Sequence, residues 1–544
     1  MGVRWPERPT DLGNQMTAGW RNPFLADSEN PIAHGRCDQQ DSTVIEGPIP
    51  AGGADGQVLD EGDLQYTWLG PCHFGGLISG PYPDGRRTIW SQGRESIVKL
   101  DHDTLEVLAR LDLSHERPDE PVSTQADWEA AVAGLDLVPE PDDDPNTPIL
   151  HAAELAGRFL TGLDGVYALL DHEHTLFLGR KSGAVAYSEE DPSDPSSPLV
   201  EKARWDKPPE VEGFFVGVNM TPDGRLVLST DHGWLVSLAR DFSDHVVAQL
   251  PGAAEQAAVH CDRMEAERGN TAYGWVRTSL CCDDAGGVYV SSVDHTHKVV
   301  WTGDRFSFDE ADGAWSAEYR NGTGVGSGTT PCLMGFGTDE DRFVVIGDGD
   351  DVVNITLLWR DEIPDDWEQL PGAPSRRIAG LGPGHMGNPD LPAIQTEQSI
   401  TVAGNGAMTV NNEPASRPDW LPARGARLLC FFLGHHERFT PYGMHKYEWN
   451  SKTREFSEAW VASSLSSPNS VPYVSQGSDT VYTCGTRRGE WTVEAVNWST
   501  GASRGHWVVG NSRFNTLGGG VHIDGDGRIM FGTIFGKARI LARP

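Results

Sequence analysis

PDGRLVLSTDHGWLVSL, residues 222–238, is the stretch of sequence that decides the fold. It joins an Asp-Gly turn, a strand of apolar and β-branched residues, a second turn and another strand. Related phrases recur as PDGRRTIWSQGRESIVKL (83–100), DDAGGVYVSSVDHTHKVVW (283–301), DEDRFVVIGDGDDVVNITLLW (339–359) and DGDGRIMFGTIFGKARIL (524–541). Units of roughly 40–60 residues with several strands each are typical of β-propellers. Because one four-stranded unit cannot bury its own apolar faces, such units must stack around an axis.

The repeats predict an all-β protein, a β-propeller of four-stranded antiparallel blades. We count eight blades; seven would result if the first two units are miscounted. The predicted blades begin near Gly75, Gly165, Phe214, Val276, Cys332, Gln395, Asn469 and Phe514. The last unit has three clear strands, so a strand near QYTWLG (65–70) is expected to complete it and remove an exposed edge.

The chain divides into an arm and one propeller domain. Residues 1–65 are polar and rich in turns, and we predict an arm that wraps the propeller, which spans 66–544. A helical insertion is predicted at about 121–162, where Thr147-Pro148 has the form of a helix start. Blade 6 is predicted to break at a loop over 411–425 and to resume with RLLCFFLGHHERF (427–439).

Charge and composition exclude some partners. The formal net charge is −36, which repels phosphate backbones and anionic lipids, so neither nucleic acid nor membrane is expected as a partner. The chain has no segment with the composition of a signal peptide and no apolar stretch long enough to span a bilayer. Its eight cysteines are widely spread. We therefore expect a cytoplasmic protein; the sequence does not indicate its oligomeric state.

Three segments share a turn followed by a strand that ends at or near an aromatic or leucine residue: IVKLDHDTLEVLARL (97–111), KYEWNSKTREFSEAW (446–460) and AVNWSTGASRGHW (495–507). This pattern resembles the repeat of the PQQ-type quinoprotein propellers, which implies eight blades docked through tryptophans. Cys281-Cys282 followed by Asp283 is similar to the vicinal disulfide beside PQQ in quinoprotein alcohol dehydrogenases, with Trp275 as a stacking floor. We do not expect PQQ, since those enzymes are exported and a strained vicinal disulfide is easily reduced in a cytosol.

Ligands of propellers usually bind at the rim where each strand A begins and where the B–C turns lie. Polar residues from different blades are predicted to converge there on a small-molecule ligand. The candidates are Asp231, His232, Asp294 and Asn515 for substrate binding, and His73 or His295 as general base. Each Asp in a B–C turn can equally bind its own backbone. His522 falls inside a predicted strand A and is expected to be a core histidine.

The segment VNMTPDGRLVLSTD (218–231) resembles the SMP-30/gluconolactonase and strictosidine-synthase-like propellers, whose fold holds Ca²⁺ at the axis. The resemblance implies Ca²⁺ as a cofactor. Independently of it, Asn219, Glu397 and Asn469 are predicted to supply only oxygen ligands to the channel, the mix that Ca²⁺ prefers. The leading hypothesis is therefore metal-assisted hydrolysis of a lactone or ester. The alternatives are a non-catalytic propeller that binds a protein or small ligand, and a PQQ-type oxidoreductase.

Overall fold

The computed structural model describes residues 19–60, 62–139, 142–268, 273–421 and 426–541. These residues form eight consecutive β-sheets, each built on four strands that run from an inner strand A to an outer strand D. Most neighbouring blades contact each other through their strands A. Blade 8 returns to blade 1, where Arg539 donates a hydrogen bond to the carbonyl of His102. The predicted eight-bladed, all-β propeller is confirmed.

Three strands from the N-terminal part of the chain add to the last two blades, two to blade 7 and one to blade 8. They are β1 (Ser42–Thr43), β2 (Gln57–Val58) and β3 (Leu64–Trp68). Blades 1 to 4 comprise β4 (Leu77–Ile78), β5 (Thr88–Gln92), β6 (Ser96–Asp101), β7 (Val107–Asp112); β8 (Ala168–Leu170), β9 (Leu176–Arg180), β10 (Gly183–Glu189), β11 (Leu199–Asp206); β12 (Phe215–Met220), β13 (Leu226–Thr230), β14 (Trp234–Leu238), β15 (His245–Gln249); β16 (Cys281–Cys282), β17 (Gly287–Ser291), β18 (His295–Trp301), β19 (Phe306–Ser307) and β20 (Trp315–Glu318).

Blades 5 to 8 follow the same plan. They comprise β21 (Cys332–Met334), β22 (Phe343–Gly347), β23 (Asn354–Trp359), β24 (Ile378–Pro383); β25 (Thr401–Ala403), β26 (Gly406–Val410), β27 (Met444–Asn450), β28 (Glu455–Val461); β29 (Tyr473–Ser475), β30 (Thr480–Arg487), β31 (Glu490–Asn497), β32 (Ser503–Gly510); β33 (Val521–Ile523), β34 (Ile529–Gly532) and β35 (Gly536–Ile540). Strand β3 pairs antiparallel with β35 and is strand D of blade 8, as the QYTWLG segment led us to expect.

The repeated sequence motif folds the same way in each blade that has the Asp-Gly turn. Its glycine turns strand A into strand B, with φ of 84° at Gly85, 82° at Gly224 and 79° at Gly527, a conformation that favours glycine. Inner strands are buried along their whole length, as in β5 and β13, because blades pack on both of their faces. Outer strands such as β7 are largely exposed.

Residues 19–45 of the arm, called the hub segment below, lie against the inner strands of the blades. Backbone carbonyls of this segment accept hydrogen bonds from successive strands A. The pairs are Asn30 O with Ile78 N (2.9 Å, blade 1), Pro31 O with Leu170 N (2.8 Å, blade 2), Cys37 O with Cys282 N (2.9 Å, blade 4), Asp38 O with Leu333 N (2.9 Å, blade 5), Gln40 O with Val402 N (2.9 Å, blade 6) and Asp41 O with Val474 N (2.9 Å, blade 7). Asn22 Nδ2 donates to Met220 O in blade 3 at 3.3 Å. The hub segment therefore occupies the axis of the ring; residues 1–18 of the predicted arm lie outside the described residues.

Four α-helices are present in the described residues: α1 (Gln125–Leu135), α2 (Thr147–Phe159), α3 (Ala253–Arg268) and α4 (Ala426–Leu433). Short 3₁₀ helices span Gly53–Asp55, Ser114–Glu116, Glu310–Asp312 and Ser512–Phe514. The predicted insertion contains α1 and α2 and is confirmed. Within the part of the chain that the structure covers, no helix has both the length and the apolar character needed to cross a bilayer.

Helix α4 corrects the prediction that RLLCFFLGHHERF resumes the strands of blade 6. Leu429 and Leu433, four residues apart, lie on one helical face and pack with Ile149 and Leu155 of α2. A periodicity of 3.6 thus prevails over the β propensity of the phenylalanines. Residues 422–425 of the loop predicted before it lie outside the described residues.

Candidate functional site

A cavity of about 730 Å³, including the part open to solvent, lies at the rim where the strands A begin. We call it the mouth cavity. Its walls come from six blades: Phe74–Leu77 and Gln92, Val166–Tyr167, Gly328 and Thr330, Glu397 and Ser399, Val471, and Gly518–Gly520 with His522. Its floor is formed by Ala33, His34 and Asp41 of the hub segment. Segments of six blades and the hub segment, distant from one another in the sequence, therefore meet around one concave space.

The floor carries a histidine–aspartate pair. His34 Nδ1 lies 2.9 Å from Asp41 Oδ2, and the side chains are 10% and 1% exposed. Burial raises the pKa of Asp41, and the nearby His34 opposes this rise. Since Asp41 binds Nδ1, the second ring nitrogen, Nε2, is the one that can act as a base.

The backbone around this pair is strained. His34, Gln39 and Asp41 have φ of 64°, 59° and 54°. Such values are unusual for residues other than glycine and are found preferentially at functional sites. The side chain of Gln39 stabilises the turn, since its Nε2 donates to Ala33 O at 2.9 Å and to Arg36 O at 2.7 Å.

Two buried polar atoms of residues in the cavity wall have no hydrogen-bond partner in the structure: Gln92 Oε1 and His522 Nδ1. Unpaired buried polar groups are costly, and each needs an explanation such as a bound ligand or water. Burial lowers the pKa of His522 to about 3, so its imidazole is neutral. The expectation that His522 is a satisfied core histidine is therefore not met, because its buried Nδ1 has no hydrogen-bond partner; the residue also lines the mouth cavity.

An ion pair forms a further part of the wall. Arg277 donates to both carboxylate oxygens of Glu397, each at 3.0 Å, and also to Val325 O and Gly326 O at 3.1 Å. Its guanidinium lies 4.8 Å from the ring centre of Tyr273. Arg277 also lines a second cavity of about 680 Å³, the side cavity, which shares Val166 and Tyr167 with the mouth cavity.

A buried lysine lies behind the wall. Lys537 Nζ donates hydrogen bonds to Gly75 O and, at 3.4 Å, to His73 O. Burial lowers the pKa of Lys537 to about 7. In the unfolded chain a lysine has a pKa of about 10.4, so between pH 7 and pH 10.4 the folded state binds fewer protons than the unfolded state.

We therefore expect a pH-dependent stability that Lys537→Met removes. Below pH 7 both states are protonated and the full penalty of burying the charge is present. As the pH rises toward 10, the free energy of unfolding of the wild type should increase relative to Lys537→Met by up to about 1.4 kcal/mol per pH unit. Urea unfolding at pH 6 to 10 measures this difference. Lys181→Met, at an exposed position, is the control; parallel curves for wild type and Lys537→Met would contradict the assignment.

The two predicted general bases lie outside the mouth cavity. His73 is fully buried, with Nδ1 at 3.0 Å from Ser91 Oγ and Nε2 at 3.3 Å from Ser96 Oγ, and burial lowers its pKa well below the ordinary value. His295 is the first residue of β18, directly after the B–C turn of blade 4, and contacts Asp294 at 2.9 Å through Nδ1. The hydrogen bond to Asp294 raises the pKa of His295. Both His295 and Asp294 have side chains that are 38% exposed.

The remaining predicted binding residues are divided between two places. Asp231 lines the side cavity, and its Oδ1 lies 2.9 Å from Nδ1 of His232. That contact, with Cys261 nearby, raises the pKa of His232 to about 10. Asn515 is fully buried beneath α4, where Nδ2 donates to Phe431 O at 2.8 Å.

The three predicted calcium ligands already have partners. Asn219 Oδ1 accepts from Met220 N at 2.8 Å, while its Nδ2 donates to Cys37 O at 3.0 Å. Asn469 Oδ1 accepts from Thr516 Oγ1 at 2.8 Å. Glu397 is paired with Arg277, so a guanidinium occupies its two oxygens. These residues do not fit a common cation in this arrangement, and Ca²⁺ remains a prediction from the sequence.

The cysteine pair has no access to a cofactor in the channel. Cys281 and Cys282 are free thiols in β16 and are fully buried. The hub segment covers them, since Cys282 N donates to Cys37 O at 2.9 Å and Trp20 Nε1 donates to Cys282 O at 3.3 Å. The axial position that a PQQ ring would need is thus filled by the protein's own backbone, and the residues do not fit this cofactor.

No family model matches the chain. Among solved structures, the quinohemoprotein alcohol dehydrogenase ADHIIG from Pseudomonas putida HK5 is similar with a TM-score of 0.50 and 11% identity, over 96% of this chain and 82% of that chain. A virginiamycin B lyase from Staphylococcus aureus is similar with a TM-score of 0.32 and 10% identity, over 80% of this chain and 96% of that one. The first likeness agrees with the eight-bladed propeller architecture and, at this identity, concerns the fold alone.

One relative is much closer in sequence. An uncharacterized protein of Archaeoglobus fulgidus is 31% identical over 390 residues, which cover 70% of each chain. The chain belongs to the family of this Archaeoglobus fulgidus protein.

Proposed function

We propose that this protein is a small-molecule enzyme that hydrolyses a lactone or ester in the mouth cavity, with His34 as the general base. The observation that carries the proposal is the His34–Asp41 pair on the cavity floor, 2.9 Å apart and only slightly exposed. A carboxylate on Nδ1 fixes the tautomer and the orientation of the imidazole and stabilises its protonated form. The role that the sequence suggested for His73 or His295 therefore passes to a histidine of the hub segment.

The chemistry follows from the geometry of this pair. His34 Nε2 takes a proton from a water molecule, and the resulting hydroxide adds to the carbonyl carbon of the substrate. When the tetrahedral intermediate collapses, the bond to the alcohol oxygen breaks and His34 returns the proton to that oxygen. The Thr330 hydroxyl lies in the cavity wall beside Tyr167 and can donate to the carbonyl oxygen. No step uses a metal ion.

The unpaired atoms also suggest the class of substrate. Gln92 Oε1 is an acceptor and His522 Nδ1 can accept or donate, so both suit a ligand that carries hydroxyl groups. The protein's net charge of −36 disfavours an anionic ligand. A neutral, hydroxylated lactone or ester meets both conditions.

Purified protein assayed on a panel of hydroxylated lactones, unsubstituted lactones and aryl esters tests the proposal. Hydroxylated lactones are expected to be hydrolysed fastest, with saturable kinetics. The same assay after treatment with a chelator checks the calcium prediction, since a His34-based reaction should continue. Saturable binding without turnover would contradict the proposal and favour the non-catalytic alternative.

A further inference from the structure

Three side chains of different chemistry meet beside the side cavity. Asp231 and His232 lie in the B–C turn of blade 3, and Cys261 lies on α3, which follows the same blade. Asp231 Oδ1 is 2.9 Å and Cys261 Sγ is 3.9 Å from His232 Nδ1, and the three ligand atoms lie within 4.8 Å of one another. A carboxylate, an imidazole and a thiol therefore face one common point.

This arrangement differs from a relay of hydrogen bonds. In a Cys–His–Asp triad the thiol and the carboxylate bind opposite nitrogens of the ring. Here both contact the same nitrogen, Nδ1, which carries at most one proton and can serve only one of them well. A metal ion at the common point would bind all three atoms at once.

The distances agree with a tetrahedral ion. Zn²⁺ binds nitrogen and oxygen at about 2.0 Å and sulfur at about 2.3 Å, so tetrahedral ligands lie about 3.3 Å (N to O) and about 3.6 Å (N to S) apart. The observed 2.9 Å and 3.9 Å differ from these values by less than an ordinary side-chain adjustment. Three protein ligands leave a fourth position for water.

The surroundings hold the donors in place. Phe214 N donates to Asp231 Oδ1 at 3.0 Å, which orients the carboxylate. The space next to the donors exists because residue 213 is glycine: a Cβ there would lie 1.9 Å from Asp231 Oδ1 and 2.6 Å from His232 Nδ1. Of the eight cysteines, all of them described, Cys261 alone is not buried.

We propose that Asp231, His232 and Cys261 form a Zn²⁺ site that joins α3 to the B–C turn of blade 3. Thiolate and imidazole together favour Zn²⁺ over the hard cations Ca²⁺ and Mg²⁺. On binding, the thiol proton of Cys261 and the proton on His232 Nδ1 leave to solvent, and the metal takes both lone pairs. The site is separate from the His34–Asp41 pair and does not depend on the proposed hydrolysis.

Two other clusters in the described residues offer metal-binding atoms, and neither contains sulfur. His102, Asp103 and Asp526 surround Arg528, which contacts all three and already supplies the positive charge. His385, His445 and Glu458 form a second cluster without sulfur, in which His385 Nδ1 accepts from Gly387 N at 3.2 Å. A thiolate signal therefore distinguishes the Cys261 site from both.

Titration of the full-length, tag-free protein with Zn²⁺ and with Co²⁺ tests the site. We expect one equivalent of Zn²⁺ per chain, a thiolate-to-cobalt charge-transfer band with Co²⁺, and protection of one reactive thiol from a thiol reagent by Zn²⁺. Cys261→Ser and His232→Gln should each abolish the band and weaken Zn²⁺ binding by about 100-fold or more. Zn²⁺ should also raise the Tm of the wild type, because it binds the folded state.

His385→Gln is the matched control and should bind Zn²⁺ like the wild type. Thermal unfolding of each apo variant establishes that it is folded. Loss of Zn²⁺ binding in His385→Gln but not in Cys261→Ser would overturn the proposal, as would a folded wild type that shows neither the charge-transfer band nor protection of the thiol.

Discussion

Replacing His34 by glutamine is expected to lower kcat for lactone or ester hydrolysis by about 10²- to 10⁴-fold, the contribution typical of a positioned general base. Glutamine keeps a polar side chain of similar reach but cannot take a proton from water. His34 is one of many residues that line the mouth cavity, so KM should change much less than kcat. Steady-state kinetics on the best lactone of the panel measures both.

The protein contains its own control for this experiment. In both pairs, His34–Asp41 and His295–Asp294, the histidine Nδ1 lies 2.9 Å from a carboxylate oxygen. His295 and Asp294, however, are partly exposed and lie outside the mouth cavity. His295→Gln should leave kcat unchanged, whereas Asp41→Asn should lower it because the imidazole loses the carboxylate that orients it. Equal activity of wild type and His34→Gln, or a loss confined to His295→Gln, would assign the base elsewhere.

The blades could be predicted because their signal is local and repeated. The Asp-Gly turn of residues 223–224 determines a hairpin within a few residues, and its recurrence gives the number of units. The closing strand β3 could be expected as well, since blade 8 has three strands of its own and an unpaired edge is unfavourable. These inferences need no knowledge of contacts between distant residues.

Helices α3 and α4 were harder to predict than α1 and α2. Segment 427–433 has residues that suit strand and helix alike, and its packing against α2 decides between them. Helix α3 was missed altogether, although its Ala- and Glu-rich sequence from Ala253 favours a helix. In both segments a helix interrupts the repeated pattern of strands.

The candidate site was predicted in its place but not in its central residues. The rim where strands A begin holds polar side chains from several blades, including Glu397 and His522. His34 and Asp41 could not be foreseen, because the hub segment has no repeat and its contacts are made with strands several hundred residues away. The sequence did contain one indication. The backbone groups of a turn-rich segment that precedes the blades need hydrogen-bond partners, and the axis is the position that all blades share.

Deleting residues 1–45 is expected to abolish the cooperative unfolding of the propeller. The deletion removes the carbonyls that pair with the inner strands of six blades, each such bond contributing about 1 kcal/mol. It also removes Leu25, Ile32 and Cys37, which are buried at 5%, 1% and 1% exposure, and an apolar side chain of this kind contributes about 2 kcal/mol. These contributions are of the same order as the 5–15 kcal/mol that stabilises a typical domain.

A second variant shows whether stability requires the hub segment to be covalently attached or only to be bound. Ala51 and Gly53 are exposed and Gly52 is partly exposed, so a protease site inserted at Gly52 can be cut in the folded protein. The cut protein should keep its segment bound and unfold near the wild-type Tm, since the hydrogen bonds at the axis do not depend on the link. Circular dichroism and size-exclusion chromatography of both variants measure this. If the deletion variant unfolded cooperatively within about 5 °C of the wild type, the hub segment would be an accessory to a ring that is stable without it, and the axis would be held by the blades alone.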